Sequence, residues 1–251
     1  ALFAEKRRNE PAMKGDVLAD IGIPSRAASP DGTRQVYSLF RFADVHAVLR
    51  DGHAFSSSLL LEHLGKFLGR IITGLDGAEH RAVRGLLQPA FSPAALKCWR
   101  TDIITPIAEH LIGSISARGR ADLFGDVFIP FPVQAIYRII GFPDDPVAID
   151  RFAARAVSIL CAVQLDPAGV EEARRQAAEA VQGILSETPA LIAERRRQDT
   201  GGLDLISSLV RAKFEGEALT DAHIAQFVVM LLPASPGTTT PPLPNPLALL
   251  L

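Results

Sequence analysis

The sequence is poor in cysteine, in tryptophan and in net charge. Its 251 residues include only two cysteines, Cys98 and Cys161, one tryptophan, and a formal net charge of −2. Two cysteines cannot form a disulfide framework and are typical of a reducing compartment, so we expect a cytoplasmic protein. Because the charge is nearly balanced, nothing favours binding to phosphate backbones, and we predict no nucleic-acid partner.

The C-terminal segment has no charged side chain at all. Residues 222–251 contain no Asp, Glu, Lys or Arg, yet their uninterrupted apolar run covers only residues 227–232. A membrane-spanning helix needs about 20 apolar residues, so we predict no membrane span. Six prolines follow this run: Pro233, Pro236, Pro241, Pro242, Pro244 and Pro246.

Helical patterns dominate from Asp76 onward. Apolar residues recur every four positions at Ile103, Ile107 and Leu111, which predicts one buried helical face. The stretch "PFPVQAIYRIIGFP" indicates a helix that Gly141 closes, and Thr220 is a typical N-cap for the last helix.

Two further predictions concern element boundaries. A helix should open at Asp166 and Pro167, and Pro189 should kink or end it. The stretch "GLDLISSLVRAKF" predicts another helix. Residues 34–40, "RQVYSLF", have strand composition and follow the turn signal "SPDG". The architecture is therefore mainly α, with a small N-terminal β part.

The first candidate site lies in the stretch "LDGAEHRAVRGLLQPAFSP". His80 and Arg84 are four residues apart, so both lie on one face of a helix. Two cationic side chains on a rigid helix can bind an anion, and Arg supplies a planar fork of donors. The alternative is that both are ordinary surface side chains.

Four segments together resemble a bacterial cytochrome P450. In chain order they are "FADVHAVLRDGHAFSSS", "DGAEHRAVRGLLQPAFSP", "IPFPVQAIYRIIGFPDD" and "LDLISSLVRAKFEGEALTDAHIAQFVVMLL". They resemble the family's helix B, the segment containing helix C, helix E, and helix H with the start of helix I. The resemblance implies an incomplete cytochrome P450-like fold. It also implies that His80 and Arg84 contact the haem propionates.

The second candidate site lies in the segment that matches helix I. The family carries Ala-Gly-x-acid-Thr there, and this chain has Ala234, Ser235, Gly237 and Thr238 at the corresponding positions. The resemblance implies that Ala234 lies on the haem and oxygen face and that Thr238 takes part in oxygen activation. Since Gly237 replaces the acid, the family's proton relay is incomplete. A Thr in an irregular loop is the alternative interpretation.

No axial thiolate is recognisable. The family places its haem-ligating Cys after an E-x-x-R motif in a later helix, and this sequence contains neither in that order. We interpret Cys98 and Cys161 as buried free thiols in helical surroundings. The early E-x-x-R spacings at Glu171, Glu172 and Glu194 predict helix-surface charge pairs with Arg174, Arg175 and Arg197. The histidines show no metal-ligand spacing.

The resemblance implies a haem-dependent monooxygenase. A complete member would oxygenate an apolar small molecule with O₂ and with electrons from a ferredoxin-type redox partner. We expect one incomplete domain over residues 1–251: mixed α/β to about residue 60, helical over 76–232, and a broken helix I over 233–251. The four prolines after residue 240 should force an extended, polyproline-like path.

We also expect the chain to be a truncated, inactive fragment, with its proline-rich tail the result of sequence error or gene decay. The alternative function is a non-catalytic all-α binding or interaction module derived from the same fold.

Overall fold

The structure, a computed structural model, falls into two compact units. It describes residues 2–23, 33–116, 118–161, 169–198, 202–214, 216–240 and 242–250. The first unit comprises residues 1–81 together with residues 165–168, and the second comprises the rest of the chain. The single domain expected over residues 1–251 stays a prediction.

The first unit is small and mixed in secondary structure. Its elements in chain order are α1 (Leu2–Asn9), β1 (Ala12–Lys14), α2 (Val17–Asp20), β2 (Tyr37–Leu39), α3 (Phe42–Arg50), α4 (Leu59–Leu68) and a 3-10 turn (Ile72–Gly74). The next helix, α5 (Gly77–Leu87), contains the boundary between the two units.

The N-terminal sheet is an antiparallel pair of short strands. β1 pairs with β2, and Met13 lies opposite Ser38. The Ser38 hydroxyl accepts from the backbone N of Val17 and donates to the backbone O of Gly15, at 3.1 and 2.8 Å. The predicted β part is confirmed, although the strand is shorter than residues 34–40, and the "SPDG" turn lies outside the described residues.

The second unit is almost entirely helical. Its remaining elements in chain order are a 3-10 turn (Gln88–Phe91), α6 (Pro93–Cys98), a π-helix (Trp99–Ile104), α7 (Thr105–Ser116), a π-helix (Phe124–Phe128), α8 (Pro130–Ile140), α9 (Pro146–Cys161), α10 (Val170–Gln198), α11 (Leu205–Arg211), β3 (Lys213–Phe214), β4 (Glu217–Ala218), α12 (Asp221–Thr239) and α13 (Pro244–Leu250).

The core of the second unit forms where α10 packs against α9, α11 and α12. The helix α12 also packs against α8 and α9. Large apolar side chains that are fully buried there are Val133, Ile140, Ile184, Ile192, Leu205, Ile206, Leu209, Ile224 and Val228. Ile107 and Leu111 are buried on α7 as predicted, and they pack with Ala135.

Both predicted helix caps are confirmed. α8 ends at Ile140, and Gly141 takes a left-handed φ of 107°. At the start of α12, the hydroxyl of Thr220 accepts from the backbone N of His223 at 3.2 Å. A short hairpin, which the sequence did not predict, separates α11 from α12. Lys213 and Phe214 form a strand of this hairpin rather than the predicted end of a helix.

Pro189 does not end its helix, contrary to one of the predicted outcomes. α10 continues through it to Gln198. Burial on both sides supplies the reason, because Ile184 and Ile192 are both 0% exposed. The hydroxyl of Thr188 also bonds the backbone O of Ile184 at 2.8 Å. The predicted opening at Asp166 and Pro167 lies outside the described residues.

The proline-rich tail is more helical than predicted. α12 continues through Pro233 and Pro236 as far as Thr239, so helix I is not broken at Pro233. The predicted polyproline-like path is also wrong over α13, which begins at Pro244 and includes Pro246. Prolines fit the first turn of a helix because backbone N–H groups there have no partner inside the helix.

None of the helices in the described part of the chain is both long and apolar enough to cross a bilayer.

Candidate functional site

The helix α5 holds the first pair of predicted site residues. His80 is half-buried and Arg84 is exposed, one helical turn further on. The C-terminal end of α5 is fixed by Leu86 and Leu87, which are 9% and 7% exposed. The two cations are therefore neighbours on one helical face, as the four-residue spacing predicted.

Arg84 has unused donors. Within the described residues, neither Arg84 nor its neighbour Arg81 forms a hydrogen bond or ion pair through its side chain. The nearby Glu79 is different, because it pairs with Arg70. The guanidinium of Arg84 can therefore present its planar set of donors to an anionic ligand.

Asp76, just before α5, is a site residue that sequence reasoning missed. Its carboxylate accepts from the hydroxyl of Ser56 at 2.6 Å and from the backbone N of Ser57 at 3.0 and 3.1 Å. These hydrogen bonds, the Ser56 bond first, lower the pKa of Asp76, and the charge of His80 lowers it further. The signal in the sequence was an acid before a helix and a serine run about twenty residues upstream.

The helix α12 holds the second pair. Ala234 and Thr238 are both exposed, and the hydroxyl of Thr238 donates to the backbone O of Ala234 at 2.6 Å. The pair therefore lies on one face of a regular helix, and not in an irregular loop.

Among the described side chains, Cys98 lacks the surroundings of a metal ligand, and it is less buried than predicted. Cys98 is a free, half-buried thiol at the end of α6, and the side chain of Cys161 lies outside the described residues. Among the residues searched, no three His, Cys, Asp or Glu side chains come together as a metal site. Arg174 and Arg175 pair with Glu171 and Glu172 on the helix surface, as the sequence indicated. In the described part of the chain, Glu194 instead pairs with Arg195, and not with Arg197 as predicted.

A groove of about 470 Å³ lies elsewhere in the first unit. Phe3, Arg7, Asp16 and Phe40 are among its lining residues, and no predicted site residue is. The Asp16 carboxylate caps α2 by accepting from the backbone N of Leu18. The Asp16 carboxylate in this groove is therefore already engaged in capping α2.

Comparison with known proteins assigns the family. The chain is 31% identical over 212 residues to cyclomarin C epoxidase CymV of Salinispora arenicola, covering 82% of this chain and 52% of that protein. It is 32% identical over 208 residues to the erythromycin C-12 hydroxylase of Saccharopolyspora erythraea, covering 82% and 50%. No family model matches the chain.

The solved structures agree. The crystal structure of CYP109E1 from Bacillus megaterium with testosterone superposes with a TM-score of 0.74 at 26% identity, covering 95% of this chain and 55% of that one. These and the other matched proteins are bacterial cytochrome P450s. The chain belongs to the cytochrome P450 family.

The matched region of the P450 fold is partial. The chain spans about half the length of the curated relatives it matches. P450 membership implies haem for a complete member of the family, together with a small-molecule substrate and a redox partner. The roles of His80, Arg84, Ala234 and Thr238 stay predictions.

Proposed function

We propose that this chain supplies the N-terminal portion of a haem-dependent P450 monooxygenase. The complete enzyme would act in the cytoplasm. It would oxygenate an apolar small molecule with O₂ and with electrons from a ferredoxin-type redox partner. The observation that supports this most is the His80–Arg84 pair on α5. The similarity to bacterial P450s supports it as well.

The donors on α5 fit the charge of a haem propionate. A propionate carboxylate is bound best by positively charged hydrogen-bond donors. Arg84 is such a donor, because it is exposed and none of its donors is used within the described residues. His80 presents a second donor one turn earlier. When bound, haem supplies the redox chemistry of oxygen activation, while these two side chains bind and orient the group.

The role proposed for Ala234 and Thr238 is to line the oxygen side of the site. Ala234 is small enough for a planar group to approach the helix closely. Thr238 donates to the backbone O of Ala234, which keeps both residues on the same face of α12. The acid that the family places before this Thr is Gly237 in this chain, and Gly cannot carry a proton. Proton delivery would therefore need another group.

Haem titration of the 251-residue chain tests the proposal. Soret absorbance would be followed for the wild type, His80→Ala and Arg84→Ala. Each substitution should raise the haem dissociation constant about tenfold, since it removes a hydrogen bond to a charged group. Lys97→Ala is the matched control: this exposed cation lies on α6 and not on α5, so its variant should bind like the wild type.

Equal binding by all four chains would remove the propionate assignment. A wild-type chain that takes up no haem would overturn the proposal and leave a non-catalytic binding module as the function. We also propose that these 251 residues are inactive by themselves, because no axial Cys is recognisable in them. A thiolate-type Soret band in the reduced carbon monoxide complex would contradict that statement.

A further inference from the structure

A carboxylate clamp fixes the start of α5 in the first unit. Asp76 precedes the helix, and its backbone O accepts from the backbone N of His80 at 3.1 Å. Its side chain reaches back to Ser56 and Ser57, which are 20 and 19 residues earlier in the chain. One residue thus joins the segment before α4 to the first turn of the helix that carries His80.

The first turn of α5 has no buried side chain of its own, although Leu75, directly before Asp76, is 5% exposed. Gly77, Ala78 and Glu79 are exposed, and Gly77 has a φ of +55°. Helix ends fray when buried side chains or caps do not fix them. The ion pair of Glu79 with Arg70 is exposed, and such pairs contribute little.

The positions of His80 and Arg84 therefore depend on different contacts. Arg84 lies close to the buried Leu86 and Leu87, whereas His80 lies in the turn that Asp76 fixes. Loss of the Asp76 hydrogen bonds should loosen His80 and leave Arg84 in place.

We propose that Asp76 is the positioning residue of the propionate site, and that it holds His80 through its hydrogen bonds to Ser56 and Ser57. The proposal rests on the proposed function, since it assigns Asp76 to that same site. Asp76 itself need not touch the cofactor. The lowered pKa of Asp76 supports the assignment, because it keeps the carboxylate ionised and accepting at neutral pH.

The test is a double-mutant cycle on haem affinity. Asp76→Ala should raise the haem dissociation constant about fivefold, as expected for one net hydrogen bond. In the His80→Ala background it should have no further effect, because the residue that it positions is gone. In the Arg84→Ala background it should again have its full fivefold effect.

Asp51 provides the matched control. Its carboxylate also accepts from two backbone N–H groups, those of His53 and Ala54, but among the described residues it bonds only within its own turn. Asp51→Ala should leave haem affinity unchanged. Asp76→Asn, which retains one acceptor oxygen, should recover part of the loss.

Hydrogen exchange tests the clamp without haem. The backbone amides of Ser57 and His80 should exchange faster in Asp76→Ala than in the wild type, and those of Leu86 and Leu87 should not. Unchanged exchange at Ser57 and His80 overturns the proposal.

The double-mutant cycle distinguishes failure of the positioning role of Asp76 from failure of the proposed function. If His80→Ala and Arg84→Ala weaken haem binding while Asp76→Ala resembles Asp51→Ala, the positioning role fails and the proposed function stands. An Asp76→Ala effect of equal size in the His80→Ala background would mean a general structural role, and would also overturn the proposal. A wild-type chain without haem affinity overturns the proposed function, and the positioning role with it.

Discussion

Replacing Gly141 by Ala should destabilise the second unit more than the left-handed backbone alone explains. At a φ of 107°, a residue with a Cβ pays about 1–2 kcal/mol. The added Cβ would also lie 2.8 Å from Cγ and 3.1 Å from Cβ of Asp204. Overpacking of this kind typically costs about 1–3 kcal/mol, so the expected total is about 2–5 kcal/mol.

Asp204 cannot easily move aside. Its carboxylate caps α11 by accepting from the backbone N of Ser207 at 2.9 Å and from the Ser207 hydroxyl at 2.6 Å. It also pairs with Arg195 at 3.4 Å, and both side chains are only 19% exposed. Arg195 in turn donates to the backbone O of Gly141 at 2.8 Å. Relief of the clash would therefore disturb the end of α8, the end of α10 and the start of α11 together.

The assay is urea unfolding followed by tryptophan fluorescence. Trp99 is the single tryptophan, it is 6% exposed, and its indole N–H donates to the backbone O of Leu203 at 3.2 Å. It therefore reports on the second unit, next to Asp204. Gly119→Ala is the control, because Gly119 has a φ of 67° with no heavy atom within 4 Å of an added Cβ. It should lose only about 1–2 kcal/mol. Equal losses for the two variants would refute the close approach to Asp204.

Two further predictions concern helix ends and surface charge. Thr220→Ala removes the cap of α12 and should lower the free energy of unfolding by about 1 kcal/mol in the same assay, while Thr220→Ser should retain most of it. Hydrogen bonds from Arg175 lower the pKa of Glu172 from 4.5 to about 2, so this ion pair stabilises the folded chain above about pH 4.5 and loses its effect as the pH falls through about 2. The melting temperature of Glu172→Gln should therefore lie slightly below that of the wild type at pH 6, and the difference should shrink as the pH falls towards 2. A difference that stays constant from pH 6 to pH 2 would contradict the assignment.

Local chemistry was readable from the sequence. Gly141 marks the end of a helix because it can take a left-handed backbone conformation. Thr220 marks the start of a helix because its hydroxyl accepts from a backbone N–H. Both caps are where the sequence predicted them. The same holds for His80 and Arg84, whose shared face follows from helical spacing alone. The Asp76 clamp was not readable, because its partners lie about twenty residues away and only the fold brings them together.

Pro189 shows how packing overrides a local rule. A proline inside a helix costs about 3 kcal/mol. Ending α10 there would expose Leu191 and Ile192, which are 8% and 0% exposed, and burial of each contributes about 1.5–3 kcal/mol. Continuing α10 through Pro189 is therefore at least as favourable as ending it there. This comparison depends on how deeply Leu191 and Ile192 are buried, which cannot be read from the sequence.

Pro233 and Pro236 require a different account. The chain before them is fixed, since Ile224, Val228 and Val229 are buried at 0%, 0% and 2% exposure. Each proline removes only one helical hydrogen bond, and its φ already suits a helix, so the buried turns before it can carry the helix past it. Beyond the prolines, the bond from Thr238 to Ala234 adds a link between successive turns. The same hydroxyl was predicted to serve oxygen activation. In α12, then, the residue proposed for chemistry also links successive turns of the helix. Thr238→Val should lose both roles, whereas Thr238→Ser should keep both.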